Sequence, residues 1–162
     1  MNFLKRFILL RSPFHTRFPS PTAYVAEQID RRVAVDRQRG FIYFRIPKAA
    51  NSTVTVTLQA AGADVPTSMQ AKQSFARASD LGRDEVDHLG ERFFLFSVVR
   101  DPFARLASAY LHKVMRSPRY QSLVNQHLRR PAQTPIDFLQ FCQFIAQGGL
   151  HLNPHWFPQR DL

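Results

Sequence analysis

The sequence predicts an α/β domain, with a central parallel sheet flanked by helices. Three observations carry that prediction. The run Phe41-Ile42-Tyr43-Phe44-Arg45-Ile46 is β-branched and aromatic and stops at Pro47, as a buried strand would. Phe93 to Val99 is dominated by apolar side chains, the pattern of a strand covered on both faces in a parallel sheet. After it, Arg100-Asp101-Pro102 opens a segment with helical periodicity, so strand and helix alternate along the chain.

The chain has 162 residues, enough for one domain with a real core. Apolar residues make up 44% and charged residues 21%, which excludes a disordered or fibrous chain. Residues 1–40 hold eight basic and three acidic side chains together with Pro13, Pro19 and Pro21, and are expected to form an irregular basic arm ahead of a folded domain over 41–162. The opening Met1 to Arg11 is too interrupted by charge for a signal peptide or a membrane span. The expected location is therefore cytoplasmic, with peripheral membrane contact open to the basic, aromatic N-terminus.

Thr53 to Leu58 alternates with period two and is β-branched, so propensity alone makes it the second strand of a hairpin. Residues 62–82 read as a loop or short helix, and Asp84 to Leu89 as one or two acidic helical turns. Asp101 can cap the next helix with Pro102 at its first position, and Phe103, Leu106, Ala107, Tyr110, Leu111 and Val114 trace its apolar stripe. Another helix is expected from Thr134-Pro135-Ile136-Asp137 to Gly148-Gly149. A single cysteine, Cys142, excludes an internal disulfide and a Cys-based zinc cluster, and its apolar surroundings predict a buried thiol.

The net charge of +10 favours anionic partners. Two turns have the chemistry to bind one. Lys48, Ser52 and Thr53 follow the first strand, and a helix starting near Asn51 would add free N–H groups and a favourable dipole; the glycines of a nucleotide P-loop are missing. A β-hairpin carrying a surface lysine accounts for that segment equally well. Arg100 leaves the carboxyl end of the second strand, where open α/β sheets bind ligands, and its fork suits a phosphate; Ser108 lies further along the helix.

Pro47-Lys48-Ala49-Ala50-Asn51-Ser52-Thr53 resembles the 5′-phosphosulfate loop of sulfotransferases. Arg100 to Tyr110 resembles their 3′-phosphate motif, in the form R-D/E-P-F-E-R-L-x-S-A-Y found in the carbohydrate enzymes, the HNK-1, chondroitin and dermatan 4-O-sulfotransferases among them. Phe93 to Phe96 and Asn153 to Gln159 are similar to the same group, whereas residues 1–40 show no likeness. The resemblance implies a P-loop-like core in which the first loop starts a helix, overruling the strand propensity of Thr53 to Leu58. It implies 3′-phosphoadenosine 5′-phosphosulfate (PAPS) as sulfuryl donor, its product PAP, and a hydroxyl acceptor, most simply a glycan.

By the same resemblance, Lys48 meets the charge on the leaving oxygen, Ala49, Ala50, Asn51, Ser52 and Thr53 hold the 5′-phosphosulfate, and Arg100 with Ser108 grips the 3′-phosphate. A base is also required, and His or Glu serves in the family. Among His88, His112, His127, His151 and His155, the expected base is His155, with a structural role beside Trp156 as the alternative. Seven basic residues against one acid between Arg100 and Arg130 suit either an acidic glycan or a solvated helix face. The sequence stops at Leu162, where relatives continue, so a compact bacterial form, a C-terminally truncated product and an inactive donor-binding remnant all stay open. The rival reading is a non-enzymatic basic protein that binds nucleic acid or another polyanion; no recognition motif for a specific nucleic acid accompanies the charge.

Overall fold

The structure is a computed structural model and describes residues 3–60 and 65–161. It divides into two compact units, one of residues 1–46 and 50–98, the other of 47–49 and 99–162.

The first unit is built on three short strands, β1 (Val33–Asp36), β2 (Phe41–Phe44) and β3 (Phe94–Ser97), in the order β1-β2-β3. β2 pairs parallel with β3, as expected, but antiparallel with β1, so the sheet is mixed rather than wholly parallel. Alternation along β2 buries both faces. Ile42 joins Phe14, Val33, Val35, Leu81 and Val86 on one side. Phe41 and Tyr43 join Ala34 and Phe75 on the other, where Val54 and Leu58 also pack. Ile42 and Tyr43 are fully buried, each contributing on the order of 2–3 kcal/mol of apolar transfer.

The strand covered on both faces is thus β2. β3, expected in that role over 93–99, is shorter and lies at the end of the strand order, with Phe94 72% exposed. Phe96 stacks on Tyr43 at 4.8 Å between ring centroids, and Phe93, just before the strand, supplies the buried side chain.

Residues 1–40 are no irregular arm over their described part. They form α1 (Phe3–Leu10), α2 (Pro13–Arg17), α3 (Ala23–Asp30) and β1. Pro13 stands in the first turn of α2, where its missing N–H costs nothing, and the Thr22 hydroxyl caps α3 by accepting from the Val25 N–H. Much of the basic excess here is structural. Arg6 pairs with Glu27 at 3.0 Å, Arg39 pairs with Asp36 at 3.4 Å, and the Arg32 guanidinium donates to the Gln28 carbonyl and side-chain oxygen at 2.6 and 2.8 Å. Arg37 forks onto Glu85 at 2.6 and 2.9 Å.

α4 (Asn51–Gln59) is helical against the strand propensity of its Thr-Val repeat. Val54 and Leu58, four residues apart, pack on one face of the sheet, and the buried Thr55 hydroxyl donates back to the Asn51 and Ser52 carbonyls. α5 (Ser68–Ser74), α6 (Arg83–Asp87) and α7 (Leu89–Arg92) complete the unit; part of the expected 62–82 loop lies outside the described residues.

The second unit is helical. α8 (Pro102–Ala109) begins as expected, with the Asp101 carboxylate accepting from the Ala104 N–H, and continues into a π-helical turn, Tyr110–Val114. That turn changes the buried stripe. Arg105, Ala109 and Val114 are buried, spaced by four and then five residues, while Phe103 and Leu111 of the expected stripe are exposed. α9 (Pro118–His127) was not anticipated, although Ser117-Pro118 is a proper start.

α10 (Phe138–Ala146) starts later than Thr134-Pro135 suggests, because Asp137 and Gln140 form a reciprocal cap. The helix ends at Gly148, whose φ of 96° suits glycine. Phe141 and Phe144 take the buried positions against Trp156, leaving Cys142 half-buried rather than buried. No helix among the described residues is long and apolar enough to cross a membrane.

Candidate active site

The loop between β2 and α4 carries Lys48, and its backbone is unusual. Lys48 (φ 67°) and Ala50 (φ 55°) both occupy the left-handed region without being glycine, a conformation costing on the order of 1 kcal/mol per residue. Passing through it just before a helix turns successive N–H groups toward one side. Ala50 is the N-cap of α4 and supplies no side-chain cap, so the first N–H groups of the helix, beginning at Asn51, keep their orientation toward a potential anion. Within the first unit, Ser52 and Thr53 are exposed near the start of α4, and the Lys72 ammonium donates to the Ser52 hydroxyl at 2.7 Å.

In the second unit Pro47 and Lys48 lie beside Arg100 and Arg105. Nη1 of Arg100 donates to the Lys48 carbonyl at 3.4 Å. Arg105, 5% exposed, donates from Nε to the Pro47 carbonyl at 2.8 Å, from Nη1 to Phe157 at 2.7 Å and from Nη2 to Pro154 at 3.3 Å. One guanidinium therefore ties the turn before Lys48 to the segment 154–157. Gln159 fixes Arg100 from behind: its side-chain oxygen accepts from the Arg100 N–H at 3.0 Å and its amide nitrogen donates to the Arg100 carbonyl at 2.8 Å. This leaves the Arg100 side chain exposed at a defined backbone position.

The electrostatics follow from this crowding. Burial, then Lys113, Arg100 and Arg116, lowers the pKa of Lys48 below the usual lysine value. His112, exposed on the π-turn, is lowered first by the Lys48 charge and then by desolvation, Arg116, Lys113 and Arg100. Burial leads at Lys48 and the neighbouring cations add to it, whereas at His112 the Lys48 charge leads; an anion beside these groups would oppose the charge contribution to both shifts.

Of the other expected site residues, Ser108 lies nearly two turns into α8, half-buried. His155 is half-buried and meets the Tyr120 ring edge-on at 6.0 Å, while Tyr120 also meets Trp156 at 6.1 Å. His88 closes α6 next to Asp84, and His127 contacts the Gln147 carbonyl. Sequence reasoning missed Arg105 and Gln159. The signal for Arg105 was a charged residue four positions before Ala109 inside a helix otherwise ready for burial; Gln159 had no local signal, since its partner is 59 residues away.

A cleft of about 410 Å³ in the same unit is lined by Phe103, Leu106, Ile145, Leu150, Trp156 and Arg160 among others, and neither Lys48 nor Arg100 lines it. The charged cluster, rather than this apolar cleft, has the chemistry to hold an anion.

Comparison with known proteins agrees with the geometry. The sulfotransferase family matches residues 31–162, beginning ahead of the first predicted strand and taking in β1. Carbohydrate sulfotransferase 14 of Mus musculus is 27% identical over 143 residues, 79% of this chain and 38% of that protein. Carbohydrate sulfotransferase 10 of Gallus gallus is 27% identical over 148 residues, 80% and 40% respectively, and that of Xenopus laevis 29% over 147 residues, 78% and 41%. The chain thus spans about two-fifths of these relatives. No solved structure matches it significantly. With its family match extending from before β1 through both motifs, the chain belongs to the sulfotransferase family.

Proposed function

We propose that this chain transfers the sulfuryl group of PAPS to a hydroxyl of a carbohydrate. One observation supports the reading most directly: the Arg100 guanidinium and Lys48 share one small cluster, although 52 residues separate them. In this reading Arg100, with Ser108, grips the 3′-phosphate. The N–H groups from Ala49 to Thr53 and the Ser52 and Thr53 hydroxyls hold the 5′-phosphosulfate, in a P-loop-like succession of strand, turn and helix. The residues suit such a donor: the charges that act on Lys48 are all positive, and the helix that follows its loop lacks a side-chain cap.

Lys48 stabilises the oxygen that takes the electron pair as the sulfur–oxygen bond breaks. At about 4 Å and an effective dielectric near 20 this attraction is roughly 4 kcal/mol before desolvation, more than a single neutral donor supplies. The acceptor class is carried over from the carbohydrate enzymes and rests on likeness alone. The test is transfer of labelled sulfate from PAPS to a panel of glycans, phenols and lipid alcohols by the full chain. The reading predicts incorporation into a glycan and its loss, by about 100-fold or more, in Lys48→Ala with the fold retained. Undiminished transfer in that variant would remove Lys48 from the mechanism.

A further inference from the structure

The first helix of the chain takes no part in the chemistry above, yet one of its faces is built to meet something. α1 packs against α2 and α3. Its Leu9 is buried, and Arg6 reaches across to Glu27 of α3. Leu4, Phe7 and Ile8 recur at i, i+3 and i+4. The Arg11 N–H donates to the Phe7 and Ile8 carbonyls, so Arg11 continues the same row for a further turn. All four are exposed, Leu4 at 63% and Ile8 at 61%, and at 3.6 residues per turn Leu9 falls on the other side of the helix. The helix therefore lies side-on to the fold, with one flank fixed and the other an apolar row open to solvent.

The charges on this surface suit an anion. The Arg11 guanidinium lies over the Phe7 ring at 4.4 Å, and in α2 the Arg17 guanidinium lies over the exposed Phe18 ring at 5.5 Å. Arg6 has its carboxylate, but a ring leaves the positive charge of Arg11 and Arg17 uncompensated. We propose that this face docks on a lipid surface carrying anionic headgroups, with α1 lying in the plane of the interface. Leu4, Phe7 and Ile8 enter the boundary between headgroups and acyl chains, where Arg11 meets the negative headgroup layer. Charge and polarity choose this occupant. An anionic membrane offers negative charge directly above hydrocarbon, the pairing that this face needs. A second copy seated about a two-fold axis would instead bring two basic faces together. α1 and α2 precede residues 31–162, the part that the family matches, so the inference is independent of the PAPS reading.

The test is co-sedimentation of the full chain with vesicles of phosphatidylcholine, alone or with about 30% phosphatidylserine. The chain should bind the mixed vesicles at least about tenfold more strongly than the neutral ones. Leu4→Ser combined with Ile8→Ser should lower partitioning onto the mixed vesicles by about tenfold or more, and Arg11→Gln by about fivefold. Leu139→Ser, at an equally exposed apolar position in α10, should stay within about twofold of the parent. Thermal unfolding checks that each variant is folded. Phe7→Trp keeps the apolar ring and gives a second readout, an emission that should move to the blue with mixed vesicles over the background of the buried Trp156. Failure to bind the mixed vesicles would overturn the inference. So would binding that about 0.5 M NaCl abolishes but the double substitution does not weaken, which would reduce it to attraction by the basic surface at large. A dimer in sedimentation equilibrium that the double substitution dissociates, in place of vesicle binding, would assign the face to a second copy and overturn it too. None of these measurements uses PAPS, so they stand or fall apart from the donor reading.

Discussion

Replacing Arg105 tests how the Lys48 turn is held. The guanidinium is buried and engages three carbonyls, two of them at 2.8 and 2.7 Å and the third, weaker, at 3.3 Å. A hydrogen bond from a charged donor contributes about 1.5–3 kcal/mol, so the two short ones amount to roughly 3–6 kcal/mol. Desolvation opposes this, and the same burial lowers the Arg105 pKa to about 10. Arg105→Met removes that opposing cost but strands the Pro47 and Phe157 carbonyls, for a net loss of about 3–4 kcal/mol. Arg105→Lys keeps the charge yet cannot reach three divergent acceptors, and should lose about 2 kcal/mol. Urea unfolding gives both values from the midpoint at unchanged slope, and PAP titration should show affinity falling by about tenfold in either variant as the turn loosens. Midpoints within about 0.5 kcal/mol of the parent, with unaltered PAP affinity, would refute the idea that this residue organises the site.

Gly149→Ala would bring a Cβ to 2.5 Å from the Phe144 ring and 2.6 Å from the Phe144 carbonyl, and should destabilise by about 2–3 kcal/mol; Gly90→Ala, exposed in α7 with open space around it, should be neutral or stabilise by up to about 1 kcal/mol, both read by thermal unfolding. Glu85, held to about 2 chiefly by its bond to Arg37, has a folded pKa below its unfolded one. Its contribution is therefore complete above the unfolded value, near 4.5, and fades as pH falls toward 2. Unfolding measured at pH 7 and pH 3 should show Glu85→Gln costing about 1 kcal/mol at the higher pH and less at the lower, a modest figure because Arg37 is half exposed to solvent.

Much of the site was legible because its motifs are local. Pro47 to Thr53 and Arg100 to Tyr110 each carry their chemistry in consecutive residues, and the Asp101-Pro102 helix start is written in two side chains. Tertiary context decided what was misread. Thr53 to Leu58 has strand propensity, but packing of Val54 and Leu58 against the sheet made it α4. The stripe of α8 was assigned with a period of 3.6, and the π-turn moved its phase beyond Ala109, exposing Leu111; upstream of that turn, Arg105 is buried on the carbonyls of Pro47, Pro154 and Phe157 while Phe103 faces solvent. Residues 1–40 looked irregular from charge and proline, yet their arginines have partners such as Glu27 and, 48 residues on, Glu85, which no local window reveals. Gln159 belongs to the same class: its role exists only once Arg100 is beside it.

In the proposed function the Arg100 end of this cluster reads a 3′-phosphate on an adenine nucleotide. Calorimetric titration of the chain with PAP and with AMP at fixed ionic strength tests it, followed by the same pair with Arg100→Ala. PAP is expected to bind at least about tenfold more tightly than AMP, and this preference, worth about 1.4 kcal/mol or more, to vanish in the variant. Equal affinity for both nucleotides, weakening together as salt rises, would mean that the basic surface attracts anions without recognising this one.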